Sequence, residues 1–326
     1  MTGATRFRRL LHVVLALVFL QLGIARAHAQ SSFSAIVTFG TSLSDPGNAF
    51  ALIKTNATPP GFGTDLESLL IPSAPYARGG HHLSNGSTWV EQMAQALRLT
   101  ASANAAFASN DPKALNYAVG GARATEDGLN LNLPTQVGAF LQDVNGAAPS
   151  DALYVIEMGS NDVRAALVAA GAGANPDTIL TAAVQGIGTA IDALYAAGAR
   201  HFLVLDVPPI ALTPAIAIAN AVAPGTAGFV DQLTHLFNAK LALMLSAKAA
   251  YPGITIAPFD VYTLIASIVA NPQAFGLSNV TDACITPNVA PFTCQNPDAY
   301  LFWDGIHPTK VVHGIIADQA ELAVIP

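Results

Sequence analysis

Short apolar runs that end at glycine or proline alternate with longer stretches of helical period, and this pattern predicts an α/β fold on a parallel sheet. Two further observations support it. Period alone does not separate such short apolar runs from buried helix, but the flanking Gly and Pro favour strands. Hydrophobic residues make up 52% of the chain against 11% charged, ample material for layers of helix on either face.

The strands come in order. Ala35 to Phe39 (AIVTF) ends at Gly40. Asp151 to Met158 (DALYVIEM) ends at Gly159. His201 to Val207 (HFLVLDV) is stopped by Pro208-Pro209, and Ile254 to Pro258 (ITIAP) is the fourth. Helical patterns fall between them. Thr88-Trp89-Val90-Glu91 fits a capping box, after which Trp89, Met93 and Leu97 recur every four residues. Asp177 to Ala197 ends at Gly198, a suitable residue just past a helix. Gly228 to Tyr251 ends at Pro252-Gly253, and Thr309 to Val324 closes the chain. The stretches 54–87, 100–113 and 276–300 are loop-rich, and there is no internal repeat.

The N-terminus reads as a secretory signal. Arg6, Arg8 and Arg9 precede an apolar run from Leu10 to Ile24, and Ala27-His28-Ala29 offers small residues at the cleavage positions. Residues 1–29 are therefore expected to be removed, leaving 30–326 as a single domain in the periplasm or outside the cell. Nothing beyond the signal reads as long and apolar enough to cross a membrane. Removal takes four arginines (Arg6, Arg8, Arg9, Arg26) and no acid. That leaves 10 basic against 21 acidic side chains, a balance of −11. Such a balance argues against nucleic acid and against polybasic docking on anionic lipid. Cys284 and Cys294, ten apart in an exported chain, are expected to form a disulfide.

Acyl transfer needs a nucleophile, a base, a group to orient the base, and donors for the oxyanion. Gly40-Thr41-Ser42-Leu43-Ser44-Asp45-Pro46-Gly47-Asn48 puts Ser42 just past the first strand, where α/β sheets bind ligands. Trp303-Asp304-Gly305-Ile306-His307-Pro308-Thr309 puts Asp304 within reach of the His307 ring. Either block alone is weak, since serine in a Gly/Asp/Asn loop usually serves the turn. Asn116-Tyr117-Ala118-Val119-Gly120-Gly121-Ala122 offers backbone N–H groups. Gly159-Ser160-Asn161-Asp162 places an amide at the same sheet edge.

Together the four ordered blocks resemble those of the GDSL, or SGNH, hydrolase family, across about residues 35–320. Leu83-Ser84-Asn85-Gly86, Gly198-Ala199-Arg200 and Phe237-Asn238 support the match. The resemblance implies a three-layer α/β/α sandwich around a flavodoxin-like parallel sheet. It implies a secreted serine esterase or lipase that needs no metal or cofactor. It assigns Ser42 as nucleophile, His307 as base and Asp304 as its acid partner. The oxyanion donors would be Gly121 (or Gly120, one position off), Asn161 and the Ser42 N–H. The chain departs from the family at Thr41, where aspartate is usual. The expected substrate is a small-molecule or lipid ester, with transient contact to a lipid surface. Polysaccharide deacetylation, acyl transfer to an alcohol and silent binding on the same fold are the rival readings.

Other polar residues carry bland expectations. His81-His82 reads as surface loop, His313 as helix surface or packing, and His201 and His235 as structural. Trp303 reads as a loop anchor that could also line the pocket.

Overall fold

The computed structural model describes residues 33–54 and 69–325. The expected signal peptide and part of the 54–87 loop lie outside the described residues. Six strands are described: β1 (Ile36–Gly40), β2 (Leu153–Glu157), β3 (His201–Leu205), β4 (Thr255–Phe259), β5 (Asn279–Ala283) and β6 (Tyr300–Phe302). The described helices are α1 (Asn48–Ile53), α2 (Trp89–Ala96), α3 (Leu133–Asp143), α4 (Ser160–Gly171), α5 (Pro176–Ala197), α6 (Pro214–Val222), α7 (Thr226–Lys248), α8 (Val261–Ala270) and α9 (Lys310–Val324).

The main sheet is parallel, in the order β1-β2-β3-β4. Asn116 adds a parallel bridge to Thr38 on the free edge of β1, with Tyr117 N–H donating to Thr38 O at 2.8 Å. Counting that segment, the spatial order is second, first, third, fourth, fifth, the flavodoxin-like arrangement.

Strand period 2 divides the core between two faces. Val37, Phe39, Tyr154, Ile156, Phe202 and Val204 point into one apolar cluster, with residues of α3, α4, α5 and α7. Ile36, Leu153, Val155, Leu203 and Leu205 point into the other, with α2, α8 and α9. The result is a sheet between two helical layers. At about 25 cal/mol per Å² of apolar burial, each of these buried large side chains contributes roughly 1.5–3 kcal/mol.

Local signals place the helices. Thr88 forms the expected capping box, accepting from Glu91 N–H while Glu91 takes the Thr88 N–H. α5 begins at Pro176, one residue before the expected start, and ends at Gly198. It also corrects the expectation that nothing here could span a membrane: by length and composition alone it is apolar enough. Its Leu180, Ala183, Ile187, Ile191 and Leu194 are buried against α3, α4 and α7, so its apolar surface packs in the core. α3, α4, α6 and α8 lie in stretches where no helix was expected. A further small parallel sheet, β5-β6, occupies the loop-rich 276–300 region and its border. Cys284 and Cys294 are joined by a disulfide, Cα to Cα 5.4 Å, beside Tyr76, Ile285 and Trp303.

Candidate active site

The Ser42, Gly120-Gly121 and Asn161 blocks converge at the carboxyl end of the main sheet, because parallel strands deliver their following loops to one edge, and the Asp304–His307 loop reaches the same place from the separate β5-β6 sheet. Gly40 and Glu157 are register partners, so Ser42 and Asn161 leave neighbouring strands side by side.

Two blocks lock to each other through buried polar side chains. Asp45 Oδ1 accepts the N–H groups of Gly47 (2.8 Å) and Asn48 (2.6 Å), and its Oδ2 accepts those of Ala49 (3.1 Å) and Gly120 (2.8 Å). Asn48 Nδ2 donates to Asn116 O and Ala118 O, and Asn116 Nδ2 donates back to Ser44 O. Asp45 is thus a bracket between the two blocks. The Gly120 N–H is occupied by Asp45, whereas those of Gly121 and Ser42 have no partner among the described residues. Gly121 sits at φ +85°, a left-handed conformation that favours glycine.

His307 and Asp304 meet in a tight loop before α9. Trp303 N–H donates to His307 O, and Asp304 Oδ1 accepts the N–H of Ile306 (2.9 Å) and of His307 (2.8 Å). The ring Nδ1 lies 2.8 Å from Asp304 Oδ2. In the neutral ring this contact places the proton on Nδ1 and leaves Nε2 as an acceptor. Tyr76 O–H, absent from the sequence expectations, donates to the same Oδ2 at 2.8 Å. Burial first, then the Asp304 charge and this bond, hold the Tyr76 hydroxyl protonated well above its ordinary range.

Asn161 is held on both ends. Its Nδ2 donates to Ala122 O at 2.9 Å, and its Oδ1 accepts from Arg164 Nη1 at 3.2 Å. The second Nδ2–H is left for a ligand. Gly159, φ +123°, precedes it because no side chain fits there. A Cβ would stand 2.5 Å from Phe237 and 2.6 Å from Val207.

Ser42, Asn161, Arg164, Ile306 and His307 line two cavities at once. One, about 80 Å³, is walled by Leu43, Pro208, Pro209, Ile210, Val261, Ile265 and Phe302. The other, about 380 Å³, is walled by Ala49, Leu52, Leu83, Gly120, Gly121, Asn130 and Leu131. These shared residues therefore lie between a narrow apolar recess and a wider cleft. No hydrogen bond joins Ser42 Oγ to His307 Nε2 among the described residues. Such contacts are often long in unliganded sites and tighten with substrate.

Thr41, the departure from the family pattern, is buried and pairs with a residue the sequence reading passed over. Its N–H and its hydroxyl both lie 3.0 Å from the Glu157 carboxyl group, and Ser44 Oγ lies 3.1 Å from it. Trp89 Nε1 donates to Ser44 Oγ, completing a braced floor under the serine turn. An aspartate at 41 would set a second carboxyl group against Glu157. Burial pushes Glu157 up to about 7, against the lowering effect of these donors. Its folded value thus exceeds its ordinary 4.5, so the folded state holds the proton longer than the unfolded chain. Stability from this group is full below about pH 4.5 and falls as pH rises through about 7, by about 1.4 kcal/mol per pH unit. Glu157→Gln should therefore gain thermal stability relative to the parent between pH 5 and 8. Melting curves across that range check this, and a constant difference would contradict it.

Other histidines divide. His82 is not a surface residue. It is buried, its Nε2 is 2.8 Å from Glu91 Oε2 and its Nδ1 meets Gly79 O. His81 stacks on Phe50. His313 is buried and accepts Trp89 N–H at Nδ1, and burial drives it down to about 3, so it stays neutral. Trp303 packs with Tyr76 in the disulfide cluster and lines neither cavity. Among the described residues no group of three or more His, Cys, Asp or Glu side chains could hold a metal ion.

The profile of the GDSL-like Lipase/Acylhydrolase family matches residues 36–320. A GDSL esterase/lipase of Arabidopsis thaliana, At1g73610, is 28% identical over 90% of this chain and 90% of its own length. A second from that plant, At1g23500, is 27% identical over 88% of each. The phosphatidylcholine-sterol acyltransferase of Aeromonas hydrophila is 24% identical over 92% of each. With the match covering most of the chain, and all four blocks meeting in one place, this protein belongs to the GDSL-like lipase/acylhydrolase family.

Proposed function

We propose that this chain is an exported carboxylic ester hydrolase working through an acyl-enzyme on Ser42. The observation that carries the reading is the His307–Asp304 pair, with Nε2 left as acceptor, in the cavity wall shared with Ser42 and Asn161. Ser42 Oγ attacks the ester carbonyl carbon as His307 Nε2 takes its proton. The carbonyl oxygen, now negative, is held by the N–H groups of Gly121 and Ser42 and by Asn161 Nδ2–H. The bond to the alcohol oxygen breaks and His307 returns the proton to it. Water then gives a proton to His307 and attacks the acyl carbon. The acid leaves, and Ser42 Oγ recovers its proton.

The test is hydrolysis of p-nitrophenyl esters from acetate to palmitate by the purified protein. Turnover of part of the series is expected. Asn161→Ala should keep the fold and lose roughly 10²–10³ in kcat, as removal of one oxyanion donor does. A folded protein idle on the whole series, or an Asn161→Ala variant of full activity, would contradict the reading. Transfer of the acyl group to an alcohol would share the same acyl-enzyme, and the similarity to an enzyme named as an acyltransferase favours testing it with added alcohol.

Export rests on the arginine-led apolar run Leu10 to Ile24 followed by Ala27-His28-Ala29, and on the disulfide, a bond that persists in oxidising compartments. N-terminal sequencing of the natural protein should begin at or near Gln30; a start at Met1 would count against cleavage.

A further inference from the structure

Arg164 stands in the catalytic cleft, yet the hydrolysis steps do not use it. It follows Asn161 by three residues near the start of α4, which brings the two side chains to one face. A guanidinium carries five N–H donors and keeps its charge. Among the described residues a single bond uses them, from Nη1 to Asn161 Oδ1.

Some other cations of this acidic chain pair with carboxylates. Lys248 meets Asp192 at 2.5 Å, Lys240 meets Asp177 at 3.1 Å, and Arg123 meets Asp127 at 3.7 Å. No carboxylate among the described residues pairs with Arg164. Asp162, the acid nearest in sequence, is turned to the Ala124 N–H. Burial, and then the like charge of Arg123, push the Arg164 guanidinium below its ordinary range. A half-buried cation without a counter-charge is costly, and such costs tend to sit where a ligand relieves them.

Arg164 lines both cavities, beside Ser42, Asn161 and His307. A group bound to it would lie only a few bonds from the reacting carbonyl. The planar fork matches a carboxylate or a phosphate, two N–H groups to two oxygens. Given the reading of this site as an ester hydrolase, we propose that Arg164 is an anion subsite. The ester this enzyme takes then carries a carboxylate or phosphate close to the scissile bond.

The test begins with binding, which needs no turnover. Hexanoate, hexyl phosphate and hexanol are titrated by calorimetry into the parent protein, Arg164→Gln and Arg164→Lys. At least one anion should bind about tenfold or more tighter than hexanol. Arg164→Gln should lose that advantage and Arg164→Lys should keep part of it. Turnover then locates the anion. p-Nitrophenyl hemiglutarate against p-nitrophenyl butyrate places it on the acyl side. Monohexanoylglycerol 3-phosphate against monohexanoylglycerol places it on the alcohol side. No anion advantage in the parent, or one that survives in Arg164→Gln, would overturn the proposal. So would an Arg164→Gln variant that binds all three probes like the parent and slows charged and neutral esters equally; its arginine would serve only to hold Asn161. Anion binding through Arg164 in a protein that cleaves no ester would uphold the subsite and count against the hydrolase.

Discussion

Ser42→Ala is expected to lower kcat by roughly 10⁴–10⁶ while leaving the melting temperature within a few degrees of the parent. Among the described residues the side chain donates no hydrogen bond, and its turn is held by others. Asp45, Asn48 and Asn116 brace it from one side, Thr41 and Glu157 from below. Removing one oxygen therefore removes chemistry and little packing. His307→Ala should cost a similar factor, and the double variant little more, because nucleophile and base act as a unit. Steady-state rates on one p-nitrophenyl ester, with circular dichroism to check folding, measure all three. Independent, multiplying losses would contradict a shared proton transfer.

Asp304→Asn is expected to cost about 10⁴ in kcat with the loop intact. The carboxylate accepts four donors: Tyr76 O–H, His307 Nδ1–H and the N–H groups of Ile306 and His307. An amide can keep the two backbone bonds through its oxygen. Its NH₂ then faces both the histidine ring and the tyrosine. The ring must turn its proton to Nε2 to accept from it, and a protonated Nε2 takes no proton from Ser42. The effect should appear in kcat, checked by the same assay with a melting curve. Near-parental turnover would remove Asp304 from the mechanism. A variant that fails to fold would instead show the four-donor knot to be structural, and Tyr76→Phe would then isolate one of its bonds.

What the sequence displayed and what it hid follow from the range of each interaction. β1, β2 and β3 were legible because strands buried on both faces must be apolar throughout, and Gly40 and Gly159 mark two of their ends. α2 and α5 carried their own caps in Thr88 and Gly198. α8, by contrast, is apolar nearly all round, with the sequence VYTLIASIVA, so period gave no signal for it. α4 begins at Ser160, and its polar first residues Ser160-Asn161-Asp162 carry no apolar period to announce a helix, so the Asn161–Arg164 spacing did not show. The residues proposed for catalysis stood out because they occur in short ordered blocks, and the structure brings Ser42, Asn161 and His307 to the same cavities. Tyr76 did not stand out, since its partner Asp304 lies 228 residues away and nothing periodic surrounds it. Glu157 did leave a trace, a lone acid closing the apolar run LYVIE next to the Gly159 block. His82 misled for the opposite reason: flanking glycines suggest exposure, while Glu91, nine residues on, draws the ring inside.

The central claim is that Ser42 is the nucleophile, and covalent labelling tests it most directly. The purified protein would be treated with a fluorophosphonate and the modified residue located by peptide mass spectrometry. The account predicts one adduct, on Ser42, lost in Ser42→Ala and slowed in His307→Ala. No adduct on folded protein, or an adduct on Ser44 or Ser160 that persists in Ser42→Ala, would contradict it.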